Sequence, residues 1–500
     1  MIRSAAGLMP IFSLPGPFGH GVFGAEALDF AGRLREAGFS NWLILPLSPP
    51  DEWHSPYQCC SSFAGNPAFI DPRELCREGL LMPEEVEALY LPEEHRIPYD
   101  AYLSQHHAAM EKAYRRLPPE KQLKVKDYAS REEKWLKDYA VFMAARKISG
   151  NKPWWQWEDE GLKCKDPGRV ERFVQEAADL IHFYEFEQYE FEREWDALKQ
   201  QINQIGIRII GDLPIYPAPD SADFWGQREI FECNDEGLPS RVGGVPPDSF
   251  SDEGQLWGSP LYRWDVLKNR DYDYWIQRIS RQLHLYDLLR LDHFIGFHNY
   301  WAIPADADSA RLGKWEKGPG IDLFQTILHK FPADAFIAED LGVINAEVRQ
   351  FLRDTGIPGM KVLQCAFNDD ENDKDRPHDW YRHCVAFTGT HDNDTLLNWA
   401  RSLNDEAWER IRGYFMLSPD VRAEEGSQNE LCRRIILTLW QSVADLVVVP
   451  VSDLLGKAEN YRINEPGTLG DNWTLRYTQE ELDAMDIEWL KEISRYCQRI

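Results

Sequence analysis

Eight short apolar runs constrain the fold of this chain more than any other feature. They are Leu8–Ile11, Trp42–Leu47, Ile207–Ile210, Leu288–Leu291, Ala335–Ala338, Lys361–Gln364, Val385–Phe387 and Leu446–Val449. Most are preceded by apolar residues at helical spacing. Ala27, Phe30, Ala31 and Leu34 come before the second, and Val348, Phe351 and Leu352, with Gly356 as the expected C-cap, before the sixth. Strand alternating with helix implies a parallel sheet, and a count of eight suits a closed barrel better than an open sheet. The expected fold is therefore α/β, a TIM-type (β/α)8 barrel with long loops at its C-terminal face.

The alternation stops between about residues 73 and 195, where the text becomes rich in Glu, Lys and Arg with helical spacing, as at Tyr139, Phe142, Met143 and Ile148. We expect residues 1–72 to form the first part of the barrel, 73–195 a mainly helical insertion and 196–500 the rest of the barrel with its groove loops. Phe183, Phe186, Tyr189, Phe191 and Trp195 predict a helix packed on the barrel wall. Asp369–Asp375 reads as a short polar, acidic loop.

The ends of the runs carry the chemistry. The fourth leads into Arg290-Leu291-Asp292-His293, and strand alternation would put Arg290 and Asp292 on one face, where the cation holds the carboxylate ionised. Asp212 follows the third run, Glu339 the fifth and Asp392 the seventh. In a barrel these four acids converge on the C-terminal face, and like charges crowded without purpose would be costly. Turn-rich loops accompany them: HSPYQCCSSFAGNP with Tyr57, GVPPDSFSDEGQLWGSPLY with Phe250 and Trp257, and a return from Asp453 to Asn464 and Trp473.

Composition narrows the partners. With 55 basic and 83 acidic residues the net charge is −28, which argues against nucleic acid and anionic membranes as ligands. No stretch of about 18 uncharged apolar residues offers a membrane span, and the N-terminus has prolines at 10, 15 and 17 where a signal peptide would need its apolar core. Nine cysteines without a C-x-x-C pair point to a reducing, cytoplasmic setting. Among 19 tryptophans and 20 tyrosines, a few on a groove could stack on sugar rings while most pack the core.

Convergent carboxylates with His and Arg suit either metal-assisted hydrolysis or glycosyl transfer. His293 and His391 each adjoin an acid in sequence, and neighbouring side chains of a strand point to opposite faces, which speaks against a metal site. Glycosyl transfer with retention needs an ionised nucleophile and a protonated acid about 5 to 5.5 Å apart. Asp292 beside Arg290 fits the first, and Glu339, near other carboxylates and with a raised pKa, fits the second.

These motifs resemble the amylomaltases, or 4-α-glucanotransferases (disproportionating enzyme), of the α-amylase clan. SPYQ…SSFAGNP, GDLPI…DSADFW, GVPPD.FS..GQLWG.PLY, LRLDHF, IAEDLG, FTGTHDND and NxPGT…NW occur in order from about residue 7 to 476. The resemblance implies a retaining transfer of α-1,4-glucan segments between starch-type glucans or maltooligosaccharides. Asp292 would be the nucleophile, Glu339 the general acid/base, and Asp392 the acid that grips the 2- and 3-hydroxyls. Arg290 and His391 would assist, Tyr57 would stack under the sugar, and Asp212, Phe250, Trp257, His293 and Asn464 would line the groove. No metal or other cofactor is implied. Ser249 stands where the family usually has a second aromatic in a lid over the groove, and Cys59-Cys60 replaces a more usual Ser-Phe. The chain is expected to be the core enzyme without an added carbohydrate-binding module. A glucan hydrolase on the same scaffold, or a non-catalytic glucan binder, are the competing readings.

Overall fold

The structure is a computed structural model that describes residues 2–247, 253–342, 344–367, 376–422 and 424–499. Twelve strands fall into two sheets. A closed parallel barrel contains β1 (Ser4–Leu8), β2 (Asn41–Leu43), β3 (Arg208–Leu213), β6 (Leu288–Leu291), β9 (Phe336–Ala338), β10 (Gly359–Val362), β11 (Cys384–Phe387) and β12 (Leu446–Pro450), each beside the next in that order, with β12 closing on β1. An antiparallel sheet of β4 (Arg241–Val245), β5 (Gln255–Pro260), β7 (Asn299–Pro304) and β8 (Lys314–Lys317) grows from the loops that follow β3 and β6.

Five of the eight apolar runs overlap their strands closely, the second runs four residues past its strand Asn41–Leu43, and two are displaced. The first strand is Ser4–Leu8, because Pro10 ends pairing and Ile11–Ser13 turns into a 3-10 helix. Its small residues hide it from apolar counting, and they are there for packing: a Cβ on Gly7 would lie 2.8 Å from Leu34 Cδ2. The sixth strand is Gly359–Val362, after which Leu363–Phe367 winds into another 3-10 helix. Gly356 caps the preceding helix Ala346–Thr355 at φ 66°, as expected.

Between β2 and β3 the regular elements of the described residues are all helices, from Pro72–Arg77 to the 27-residue Ala178–Gln204. That last helix lies against the barrel. Phe191 and Trp195 pack on Phe23, and Trp195 Nε1 donates to the Leu285 carbonyl at 2.9 Å. Each such fully buried aromatic contributes roughly 1.5–3 kcal/mol by leaving water, one part of what offsets the entropy of ordering so long a helix. Trp154 is fully buried, with Nε1 on the Pro219 carbonyl, so it offers no face to a groove.

Arginines from both ends of the chain fasten the floor of the barrel. Arg499 is buried and donates to the carbonyls of Trp440 (2.9 Å), Leu439 (3.2 Å), Ser442 (3.1 Å) and Ser4 (3.2 Å). Arg3 donates to Trp440, Ser442 and Cys497. The acceptors include the last carbonyls of helix Glu430–Gln441, which have no partner within the helix. Arg499→Met would keep the apolar stem and remove one donor from each of these four carbonyls, of which Trp440 and Ser442 keep Arg3 and Leu439 keeps the Ser442 N–H. It is expected to lower the unfolding free energy by about 2–4 kcal/mol, read in a denaturant titration; an unmoved midpoint would mean that water replaces the guanidinium without cost.

Candidate active site

All eight barrel strands are parallel, so one face receives everything that follows a strand. β3, β6 and β9 are neighbours. Asp212 in β3 is in register with Arg290 in β6, and Asp292 is the first residue beyond β6. Arg290 Nη1 therefore reaches both acids, Asp212 Oδ2 at 2.6 Å and Asp292 Oδ1 at 2.9 Å. The side chains of Arg290 and Asp212 are 6 % and 0 % exposed, whereas Asp292 keeps 26 %. Gly211, next to Asp212, leaves room for the Tyr286 ring, which a Cβ would meet at 2.1 Å. The Tyr286 hydroxyl accepts from the Leu47 N–H and so ties the end of this strand group to the loop after β2.

Glu339 follows β9 directly and is buried. Its Oε2 accepts the His293 N–H at 2.7 Å and its Oε1 the Leu341 N–H at 3.2 Å. Burial pushes its carboxyl well above the usual carboxylate range, Asp292 adds to that, and Arg290 and the His293 N–H only partly oppose it. The His293 N–H points at Glu339 because His293 adopts the left-handed conformation, φ 47°, a turn that no spacing rule anticipates. Burial also pushes the His293 imidazole down to about 4, and its ring meets Trp257 edge to face at 4.9 Å.

Asp392 and its partners come from loops. Asn464 Nδ2 donates to Asp392 Oδ1 at 2.6 Å, and Arg462 Nη2 to the Asp392 carbonyl at 2.7 Å. His391 Nε2 lies 3.3 Å from Asp392 Oδ1. The expectation that this sequence pair faces apart is thus wrong. It rested on strand alternation, and both residues lie past the end of β11, where alternation no longer applies. Tyr57 stacks on His391, with ring centroids 4.8 Å apart and 15° between planes, and its hydroxyl donates to Asp212 Oδ2 at 2.7 Å. Trp473 flanks both rings at 5.6 and 5.8 Å.

The structure therefore brings Asp212, Arg290, Asp292, Tyr57, His391, Asp392 and Asn464 into one contact network. Glu339, His293 and Trp257 form a second, joined to the first by the charges of Arg290 and Asp292. Phe250, with Ser249 beside it, and the acidic stretch Asp369–Asp375 lie outside the described residues. Arg462 was missed; its only signal is its place two residues before Asn464. Among the described residues, the ligand atoms of Glu192, Asp196 and His284 come within 4.8 Å of one another on a different surface, but Arg281 is already bonded to Glu192 at 2.6 Å and would repel a cation.

The profile of the 4-alpha-glucanotransferase family matches residues 9–482. This chain belongs to that family. The 4-alpha-glucanotransferase of Thermus thermophilus is 40 % identical over 498 residues, covering 98 % of this chain and 97 % of the relative. That of Clostridium butyricum is 39 % identical over 471 residues, covering 94 % and 95 %. The amylomaltase from Streptococcus agalactiae, solved in complex with acarbose, superposes with a TM-score of 0.95 at 35 % identity, with 99 % of each chain covered. Family membership thus extends over the barrel, the helices between β2 and β3, and the antiparallel sheet. Among the described residues of this 4-alpha-glucanotransferase family member, no helix is long and apolar enough to cross a membrane.

Proposed function

We propose that the protein is a retaining 4-α-glucanotransferase that moves α-1,4-glucan segments from one maltooligosaccharide or starch-type glucan to the 4-hydroxyl of another. One observation carries the reading: two neighbouring carboxylates sit in opposed environments, Asp292 ion-paired to Arg290 and Glu339 buried with its proton affinity raised. Opposed environments are what a nucleophile and an acid working at one bond require.

In this mechanism Asp292 attacks the anomeric carbon while Glu339 passes its proton to the leaving oxygen, which departs with the reducing-end fragment. The covalent glucosyl-enzyme then waits. Glu339, now a carboxylate, takes the proton of an incoming 4-hydroxyl, whose oxygen displaces Asp292 and restores the starting configuration. Arg290 compensates the charge on Asp292 and Asp212. Asp392 binds the 2- and 3-hydroxyls as the ring flattens, oriented by Asn464, Arg462 and His391. Tyr57 offers a planar face to that ring, and Trp257 and His293 line the groove on the Glu339 side. The helices between β2 and β3 form a subdomain outside this chemistry.

The test is the product ladder from maltotriose. Transfer yields glucose together with chains longer than the substrate, hydrolysis yields only shorter ones, and a glucan binder leaves maltotriose intact. The pH profile adds a signed expectation. Because Glu339 must carry a proton, kcat/KM on maltotriose should fall as pH rises through its raised pKa, so the basic limb lies above the ordinary carboxylate range near 4. A basic limb within that range would contradict Glu339 as the acid.

A further inference from the structure

We propose that Asp453 is a positioning residue for the loop that carries His391 and Asp392, clasping both of its ends. The inference rests on the role given above to Asp392. Asp453 lies on the short helix Val451–Leu454 that follows β12 and is 1 % exposed. Its Oδ2 accepts the Thr388 hydroxyl at 2.6 Å, and its Oδ1 accepts the Leu396 N–H at 2.8 Å. Thr388 is the first residue after β11, and Leu396 opens the helix Leu396–Ser402. One carboxylate therefore holds the two points where residues 388–395 leave and rejoin regular structure.

The neighbouring contacts belong to the same grip. The Thr388 N–H donates to the Val448 carbonyl, and Thr395 Oγ1 to that of Ala458. Further along the same stretch, Arg462 and Asn464 reach Asp392 itself. β12 and the segment after it thus grip the loop at its base and near its middle, with Asp453 at the base. Burying a carboxylate is expensive unless something compensates it, and among the described residues Asp453 has no ion-pair partner. Its carboxyl, pushed up to about 7 by burial, is stabilised instead by these two donors. A costly buried acid that takes no part in bond making is explained by what its two bonds hold in place.

Asp392 must meet the sugar hydroxyls to within a few tenths of an ångström to favour the flattened ring, so a loosened loop should lower kcat with little change in KM. Asp453→Ala is expected to reduce kcat on maltotriose by roughly 30-fold and Thr388→Val by roughly fivefold. Asp453→Asn should stay within roughly fivefold of the parent, since its amide oxygen can accept from Leu396 and its NH2 can donate to the Thr388 oxygen. The decisive readout is coupling. In an Asp392→Ala background, assayed with a maltosyl fluoride donor to keep rates measurable, Asp453→Ala and Thr388→Val should each cost less than about threefold, because the group they position is gone. Losses that multiply, or an Asn variant as poor as the Ala variant, would overturn the proposal. Should Asp453→Ala fail to fold, Thr388→Val carries the same coupling test. An Asp392→Ala enzyme with parental transfer would be a different failure, that of the role assigned to Asp392.

Discussion

Asp292→Asn is expected to lower transfer from maltotriose by roughly ten-thousand-fold while leaving the protein folded. The amide is a poor nucleophile at the anomeric carbon, and no other carboxylate of the site is free to replace it. Asp212 is fully buried and bonded to Arg290 and Tyr57, Glu339 is buried and bonded to the His293 and Leu341 N–H groups, and Asp392 is held by Asn464. The fold should tolerate the change because Arg290 keeps its bond to Asp212. A second readout follows from the electrostatics. Asp292 is one of the charges that raise Glu339, so removing it should lower the Glu339 pKa and move the basic limb of the residual activity to lower pH. Transfer within tenfold of the parent in a folded sample would refute Asp292 as the nucleophile.

Glu339→Gln should be nearly as damaging on natural glucans and far less so on an activated donor. The leaving 4-hydroxyl of a sugar is a poor leaving group without a proton, and its protonation contributes on the order of 10²–10⁴-fold. Fluoride needs much less help, so a glucosyl or maltosyl fluoride should still form the covalent intermediate with Asp292. Discharge by a sugar acceptor would remain slow, because it calls on the same residue as base. The Gln oxygen can keep the bond to the His293 N–H, but its NH2 would face the Leu341 N–H, so a loss of about 1–3 kcal/mol in stability accompanies the kinetic effect. If the fluoride donor gains nothing over maltotriose relative to the parent, Glu339 is not the acid.

What could be read from the sequence follows a physical boundary. Positions where an apolar run ends in an acid were legible, because barrel strands place such residues on one face whatever their exact limits. Arg290 with Asp292 is the clearest case, since strand alternation and the observed 2.9 Å contact agree. β1 was displaced by several residues because Ser4-Ala5-Ala6-Gly7 pairs through its backbone and carries small side chains that register as no apolar run. Beyond the strand ends, periodicity carries no information. The His391–Asp392 contact, the left-handed turn at His293 and the clasp of Asp453 on Thr388 and Leu396 all depend on loop conformation, and the first was read with the wrong sign.

The origin of the reactive groups divides them by how firmly they are held. Asp212, Arg290, Asp292 and Glu339 lie on or directly after three adjacent strands whose spacing is set by barrel hydrogen bonds. Tyr57, His391, Asp392 and Asn464 sit on segments whose placement depends on side-chain bonds and ring contacts. Warming should therefore affect the two sets at different temperatures. On the proposed mechanism the grip on the flattened ring would weaken while Arg290 still held Asp292 and the His293 N–H still held Glu339, so heat would first lower kcat through the loops, with nucleophile and acid still in place.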